Sequence, residues 1–232
     1  MLVTENATKQ QSGFFGNLIF NIAIPVIMTY ASSDEYLGPA WSVVAALAFP
    51  LSYGLLELKK TKKVNLFSVL GIVSVLLTGG ISLLKLPAEY MAIKEATIPA
   101  AIGLAVLITQ FTKKPLVKAL ILNDQLINWD KLNKRLEEKQ VVELFKSKVA
   151  VSSYIVASSF FLSAVLNYGL AKWILVSEPG TTAYTEELGR MTALSYPVIV
   201  IPSMVLLITA LVYLFKQISK VTGDPVEDFM QQ

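Results

Sequence analysis

Most polar side chains of this chain sit in loops, but a few stand inside or against long apolar runs, and any chemistry would start from these. Polar groups are costly in hydrocarbon and are kept there for helix contact or for function. Asn17 and Asn21 lie four residues apart and so share a helix face. That face is expected to look inward, either as an amide contact between helices or as part of a solute site. Lys94 and Glu95 are adjacent at the mouth of a later run, and Glu95 stands four residues before Pro99. The proline ring removes a backbone donor and loosens the helix there, so the carboxylate could bind a cation or proton; the plainer role is a charge that ends the span. Glu186 and Glu187 stand four and three residues before Arg190, and either can pair with it on a helix. Thr182 and Thr185 are candidates to cap that helix. Asn167 is followed by Tyr168 and by Lys172, whose long stem can snorkel to headgroups. Together Asn17, Asn21, Lys94, Glu95, Asn167, Lys172, Glu187 and Arg190 form the candidate polar path or binding set.

Much other chemistry is excluded. The chain has no cysteine and no histidine, which removes thiolate nucleophiles, disulfides, cysteine-based metal sites and the commonest general base. Carboxylates alone would have to hold a metal, and none cluster suitably, so neither a metal nor another cofactor is expected. Ser82-Leu83-Leu84-Lys85 matches Ser-x-x-Lys, but the motifs that accompany it in penicillin-binding enzymes are missing, and Lys85 reads better as a charge ending a span. Gly79-Gly80 lacks phosphate-loop spacing and is expected instead to let helices approach closely. No catalytic residue is assigned, and an enzyme is not expected.

The elements that would position these residues are membrane spans. Of the 232 residues, 54% are hydrophobic and only 16% charged, with mean hydropathy +0.57, and the apolar residues fall in runs near the ~20 residues that cross a bilayer core. The expected fold is an all-α transmembrane bundle of about six spans, at about 14–30, 39–56, 66–84, 93–111, 149–175 and 191–215. The first run is longer than a signal core and contains Asn17, Asn21 and Pro25, so a retained span is expected.

Charge supports this reading. Lys59, Lys60, Lys62 and Lys63 lie between spans two and three; Lys113, Lys114, Lys118, Lys131, Lys134, Arg135, Lys139, Lys146 and Lys148 lie between four and five; Lys9, Lys216 and Lys220 flank the ends. The opposite side holds only Lys85, Lys94, Lys172 and Arg190. The positive-inside rule then puts both termini in the cytoplasm. Lys59, Lys60, Lys62, Lys63, Lys113 and Lys114 are expected to touch anionic headgroups. With a net charge of only +3, the expected partners are the bilayer, its anionic lipids, other membrane proteins or further copies of the chain, and not nucleic acid. The cytoplasmic segment 113–148 has amphipathic spacing, with Leu132 and Leu136 on one face, and is expected to lie on the leaflet, pack on another protein, or simply connect two spans. The polar tail from Gly223 onward is expected to be disordered.

The stretch Thr78-Gly79-Gly80-Ile81-Ser82-Leu83, then Ile93-Lys94, Gln110 and Lys113-Lys114-Pro115-Leu116, resembles the bacterial intracellular septation protein A family. Leu166-Asn167-Tyr168, Trp173 and Met191-Thr192-Ala193-Leu194 are similar in order and spacing. The resemblance covers roughly 65–121 and, more loosely, 149–200. It departs from the pattern at an insert over Leu122–Lys148 and at a longer outer segment over Ser177–Gly189, which is similar to a larger branch of the superfamily. It implies a multi-pass protein of the bacterial inner membrane, concerned with envelope organisation and septation, acting through protein contacts and not by catalysis. The alternative expectation is a secondary transporter or channel for a small solute or ion, with the polar set above as its path.

Overall fold

Long apolar runs with few charges fold as helices, because a helix satisfies its backbone donors and acceptors internally. The computed structural model describes residues 26, 30–31, 36–61, 66–112, 115–121 and 126–231. Among these the chain is helical, with one isolated antiparallel bridge and no strand. The helices are α1 (Gly38–Thr61), α2 (Leu66–Leu83), α3 (Ala88–Thr109), α4 (Leu116–Ile121), α5 (Trp129–Glu138), α6 (Val142–Ile174), α7 (Thr182–Ser195) and α8 (Ile201–Thr222), with a 3₁₀ turn at Val226–Phe229. A π turn, Tyr196–Val200, joins α7 to α8. Pro197 and Pro202 each withhold a backbone donor there, and a π turn is a usual way for a helix to absorb such a fault.

Among the described residues three helices are long and apolar enough to cross a membrane: α3, α6 and the continuous run Thr182–Thr222. Shorter apolar stretches occur at Gly38–Ala48 in α1 and Ile72–Leu83 in α2. The first expected span falls almost wholly outside the described residues. The fifth expected span falls on α6 except for its last residue, Leu175, and the sixth lies within the run Thr182–Thr222. At 1.5 Å per residue α6 is about 50 Å long, so part of it must project beyond a bilayer core of ~30 Å.

The chain divides into two compact units. Unit 1 comprises residues 1–95 and 167–196, unit 2 residues 96–166 and 197–232. In unit 1, α1 packs on α2 and α7. Gly79 makes the close approach: a Cβ there would stand 2.9 Å from Leu47 Cδ1, whereas Gly80 faces open space. At the end of α2, Leu86 N donates to Ile81 O and Lys85 N to Ser82 O, and Lys85 takes the left-handed conformation at φ +53°. This is the helix stop that glycine usually supplies. The Lys85 stem lies against Gly180, itself at φ +86°, where a Cβ would come within 2.6 Å of Lys85 Cε. Lys85 therefore ends its helix, as expected, but is packed at the stop.

In unit 2 the buried core joins Val106 of α3, Val117 of α4, Ile127, Leu132 and Leu136 of α5, Phe145 and Val156 of α6, Leu214 and Ile218 of α8, and Phe229. Two expectations are corrected here. The apolar face of α5 is covered by the chain's own core, so neither leaflet nor partner is needed to bury Leu132 and Leu136. The tail is ordered: Ile127 and Met230 form the bridge, Asn128 N donates to Phe229 O at 2.8 Å, and Gln231 N donates to Leu126 O at 3.0 Å. Its polar composition hid one anchor, Phe229, which is 2% exposed.

Phe229→Ala removes a fully packed aromatic and should destabilise unit 2 by about 3 kcal/mol. Thermal unfolding in detergent checks this against Met230→Ala, whose side chain is exposed. Equal midpoints for the two variants would remove Phe229 from the core.

Candidate functional site

Lys94 is the most deeply placed charge of the candidate set. Helix α3 starts at Ala88, so Lys94 lies six residues inside it, about 9 Å along the axis, and only 8% of it is exposed. Its Nζ donates to Thr78 Oγ1 at 2.7 Å and to Glu95 Oε1 at 2.6 Å. The Thr78 hydroxyl donates in turn to Ser74 O at 3.0 Å. The result is a short relay from the α2 backbone through a hydroxyl and an ammonium to a carboxylate. Lys94 thus does not end its helix, and it is tied across to the neighbouring α2. Pro99 offers no N–H to the Glu95 carbonyl, which leaves the helix weakest beside this carboxylate.

Two further candidates, Lys172 and Glu187, also close on near neighbours. Lys172 Nζ donates to Glu89 Oε1 at 2.9 Å, on the surface. The expected pairing of Glu187 with Arg190 does not form. Glu187 accepts from Val176 N and Ser177 N, both at 3.0 Å, and from Ser177 Oγ at 2.7 Å. Two backbone donors and a hydroxyl in the turn past α6 hold the carboxylate better than an exposed guanidinium would, because pairs in water contribute little. Arg190 is exposed and makes no ion pair among the described residues. The cap of α7 is likewise shifted: Thr181 Oγ1 accepts from Tyr184 N at 3.2 Å, and Thr185 Oγ1 donates back to Thr181 O. Asn167 is half-buried on α6. Ser82 Oγ is buried without a hydrogen-bond partner, so Lys85 does not activate it. Asn17, Asn21, Lys62, Lys63, Lys113 and Lys114 lie outside the described residues, as does the side chain of Lys60; Lys59 is exposed at the end of α1.

Unit 2 contains a feature that sequence reading missed. A cleft of about 300 Å³ is lined by Lys131, Lys134, Arg135, Glu138, Asp224, Asp228 and Phe229. Arg135 grips Asp224 with two bonds, Nε to Oδ2 at 2.5 Å and Nη2 to Oδ1 at 2.9 Å, and reaches Glu138 at 3.3 Å. The hydrogen bond to Asp224 raises the Arg135 pKa further, and the bond from Arg135 holds the Asp224 carboxyl below the usual carboxylate range. Three cations face three carboxylates, so the cleft carries no net field for one sign of ligand. Its work is to fasten α5 to the tail. The two residues are 89 positions apart, and no local spacing announces the pair. Among the described residues no group of acids is placed to hold a metal ion.

Two outcomes follow. Lys94→Met strands Glu95 and Thr78 and should destabilise unit 1 by about 3 kcal/mol, while Lys94→Met with Glu95→Gln should recover part of that loss in thermal unfolding. A double variant no better than the single one would mean that the pair is not coupled. The Asp224 carboxyl is held low, so its contribution is complete above its unfolded pKa of about 3.9 and is lost as pH falls through the native value. Asp224→Asn should therefore unfold at a lower temperature near neutral pH and lose less stability on acidification than the parent. Equal losses would remove Asp224 from the acid response.

Compared with protein-family models, with curated proteins and with solved structures, the chain matches none of them.

Proposed function

We propose that this chain is a six-span protein of the bacterial inner membrane, with both termini and the 113–148 segment in the cytoplasm, which supports envelope organisation or septation through protein and lipid contacts and not by catalysis. The observation that carries this reading is that four charged side chains of the candidate set close on near neighbours. Lys94 is paired with Thr78 and Glu95, Lys172 with Glu89, and Glu187 with the 176–177 turn. A polar path for a solute needs groups converging on a shared wet cavity, whereas a contact protein leaves them as separate ties. The resemblance to the septation family and the alternation of lysine-rich segments support the same reading. The contact surface is the outward side of α5 with the tail. It presents Lys131, Lys134, Leu126 and Met230 while Leu132, Leu136 and Phe229 hold it rigid from below.

A secondary transporter or channel for a small ion is the second reading, favoured by one observation: the Lys94–Glu95 pair lies inside α3 beside Pro99. A photo-crosslinking residue at Lys134 should capture discrete protein partners or further copies in cells. Reconstituted protein should pass no more protons or monovalent cations than empty vesicles. Capture of lipid alone, together with a flux that Glu95→Gln abolishes, would replace the contact reading by the transport one.

A further inference from the structure

Lysine and tryptophan at the edge of a span meet lipid headgroups, where an apolar ring and a charged tip are both satisfied. Unit 2 assembles such a pair from segments far apart in sequence. Helix α3 ends at Thr109 with Ile108 and Phe111 exposed. Leu116 N donates to Thr109 Oγ1 at 3.0 Å, which folds α4 back onto the end of α3. Val117 is fully buried and pins α4 in the core. The next residue, Lys118, is held half-buried with its Nζ 4.7 Å from the centroid of the Trp129 ring. Trp129 packs against the same core.

A second cation stands near. Burial, followed by the charge of Lys146, lowers the Lys118 pKa. Lys146 lies in the first turns of α6, just before the apolar run that starts at Val149. Both lysines therefore stand where the apolar lengths of α3 and α6 give out. No carboxylate pairs with Lys118 among the described residues. Lys146 touches Glu143 at 2.6 Å, but both are well exposed, and such a pair contributes little. The Lys118 ammonium is thus partly desolvated over an indole ring with a second cation acting on it, and it meets no carboxylate among the described residues. Beside the end of an apolar helix long enough to cross a membrane, a lipid phosphate is an anion that suits such a cation.

We propose that Lys118, Trp129 and Lys146 form a binding site for the phosphodiester of an anionic phospholipid in the leaflet at the C-terminal end of α3. The indole supports the ammonium from below and packs on the acyl-glycerol boundary, and the two lysines take the phosphate oxygens. The inference rests on the chain being an integral membrane protein, and on no protein partner or septation role.

The test uses Trp41→Phe/Trp173→Phe protein, which leaves Trp129 as the sole tryptophan, in phosphatidylcholine bilayers. Brominated phosphatidylglycerol should quench Trp129 more strongly than brominated phosphatidylcholine at equal mole fraction. Lys118→Gln and Lys146→Gln should each cut that preference about fivefold, the effect of one lysine at an anionic surface. Lys118→Arg should keep it, as should Lys220→Gln on α8. Preference unchanged in both glutamine variants, or lost equally in Lys220→Gln, would overturn the site in favour of diffuse surface charge. Abolition of the preference by inorganic phosphate would overturn the lipid as ligand. Protein that stays monodisperse without detergent would instead sink the membrane reading itself, an outcome distinguishable from loss of preference in inserted protein.

Discussion

A peptide N–H or C=O in hydrocarbon has no water to bond, and leaving one unpaired costs several kcal/mol. The long helices answer that constraint, and so do their hydroxyls. Thr78, Ser153, Ser158, Thr192, Thr209 and Thr222 each donate to the carbonyl four residues earlier, so no partner outside their own helix is needed. Several prolines sit where the damage is least, unlike Pro99 inside α3. Pro39 is in the first turn of α1, where a missing N–H is harmless, and Pro197 lies in the π turn with Pro202 just after it. Hydroxyls on small residues also tie helix to helix, as where Ser159 Oγ donates to Ser203 O at 2.7 Å between α6 and α8.

Charge obeys the same rule at higher stakes. An ammonium with no counter-charge in a low-dielectric interior would cost far more than a lost hydrogen bond. Lys94 is tolerable because a carboxylate is adjacent and a hydroxyl faces it from the next helix. Outside the apolar lengths the rule relaxes. Lys172 and Glu89 meet in water, and Arg190 carries its charge exposed. Glu187 shows what decides between partners: two backbone donors and a hydroxyl gathered in one turn outbid a flexible surface cation.

The segment between α3 and α6 shows how one amphipathic pattern can have several solutions. Leu132 and Leu136 need an apolar cover, and a leaflet, a partner or the chain itself could supply it. Here α8 and the tail supply it, with Phe229 inserted and Arg135 clamped on Asp224. What remains outward is mostly charged, with Leu126 and Met230 among it. A rigid and mixed-charge surface of this kind suits specific contact better than insertion into lipid.

Helical class, the apolar lengths and the alternation of lysine-rich segments were legible in the sequence, because hydrocarbon length and the cost of moving lysine act on local stretches of chain. Leu132 and Leu136 could be placed on one face for the same reason, since helical spacing is local. The pairing of Lys94 with Thr78, the capture of Glu187 by the 176–177 turn, the Arg135–Asp224 clamp and the burial of Phe229 were decided only by tertiary structure. Each joins groups from different elements, and a short polar tail or a lone acidic residue looks the same in sequence whether or not a distant partner meets it. Periodicity shows which face must be covered; only the packed chain determines what covers it.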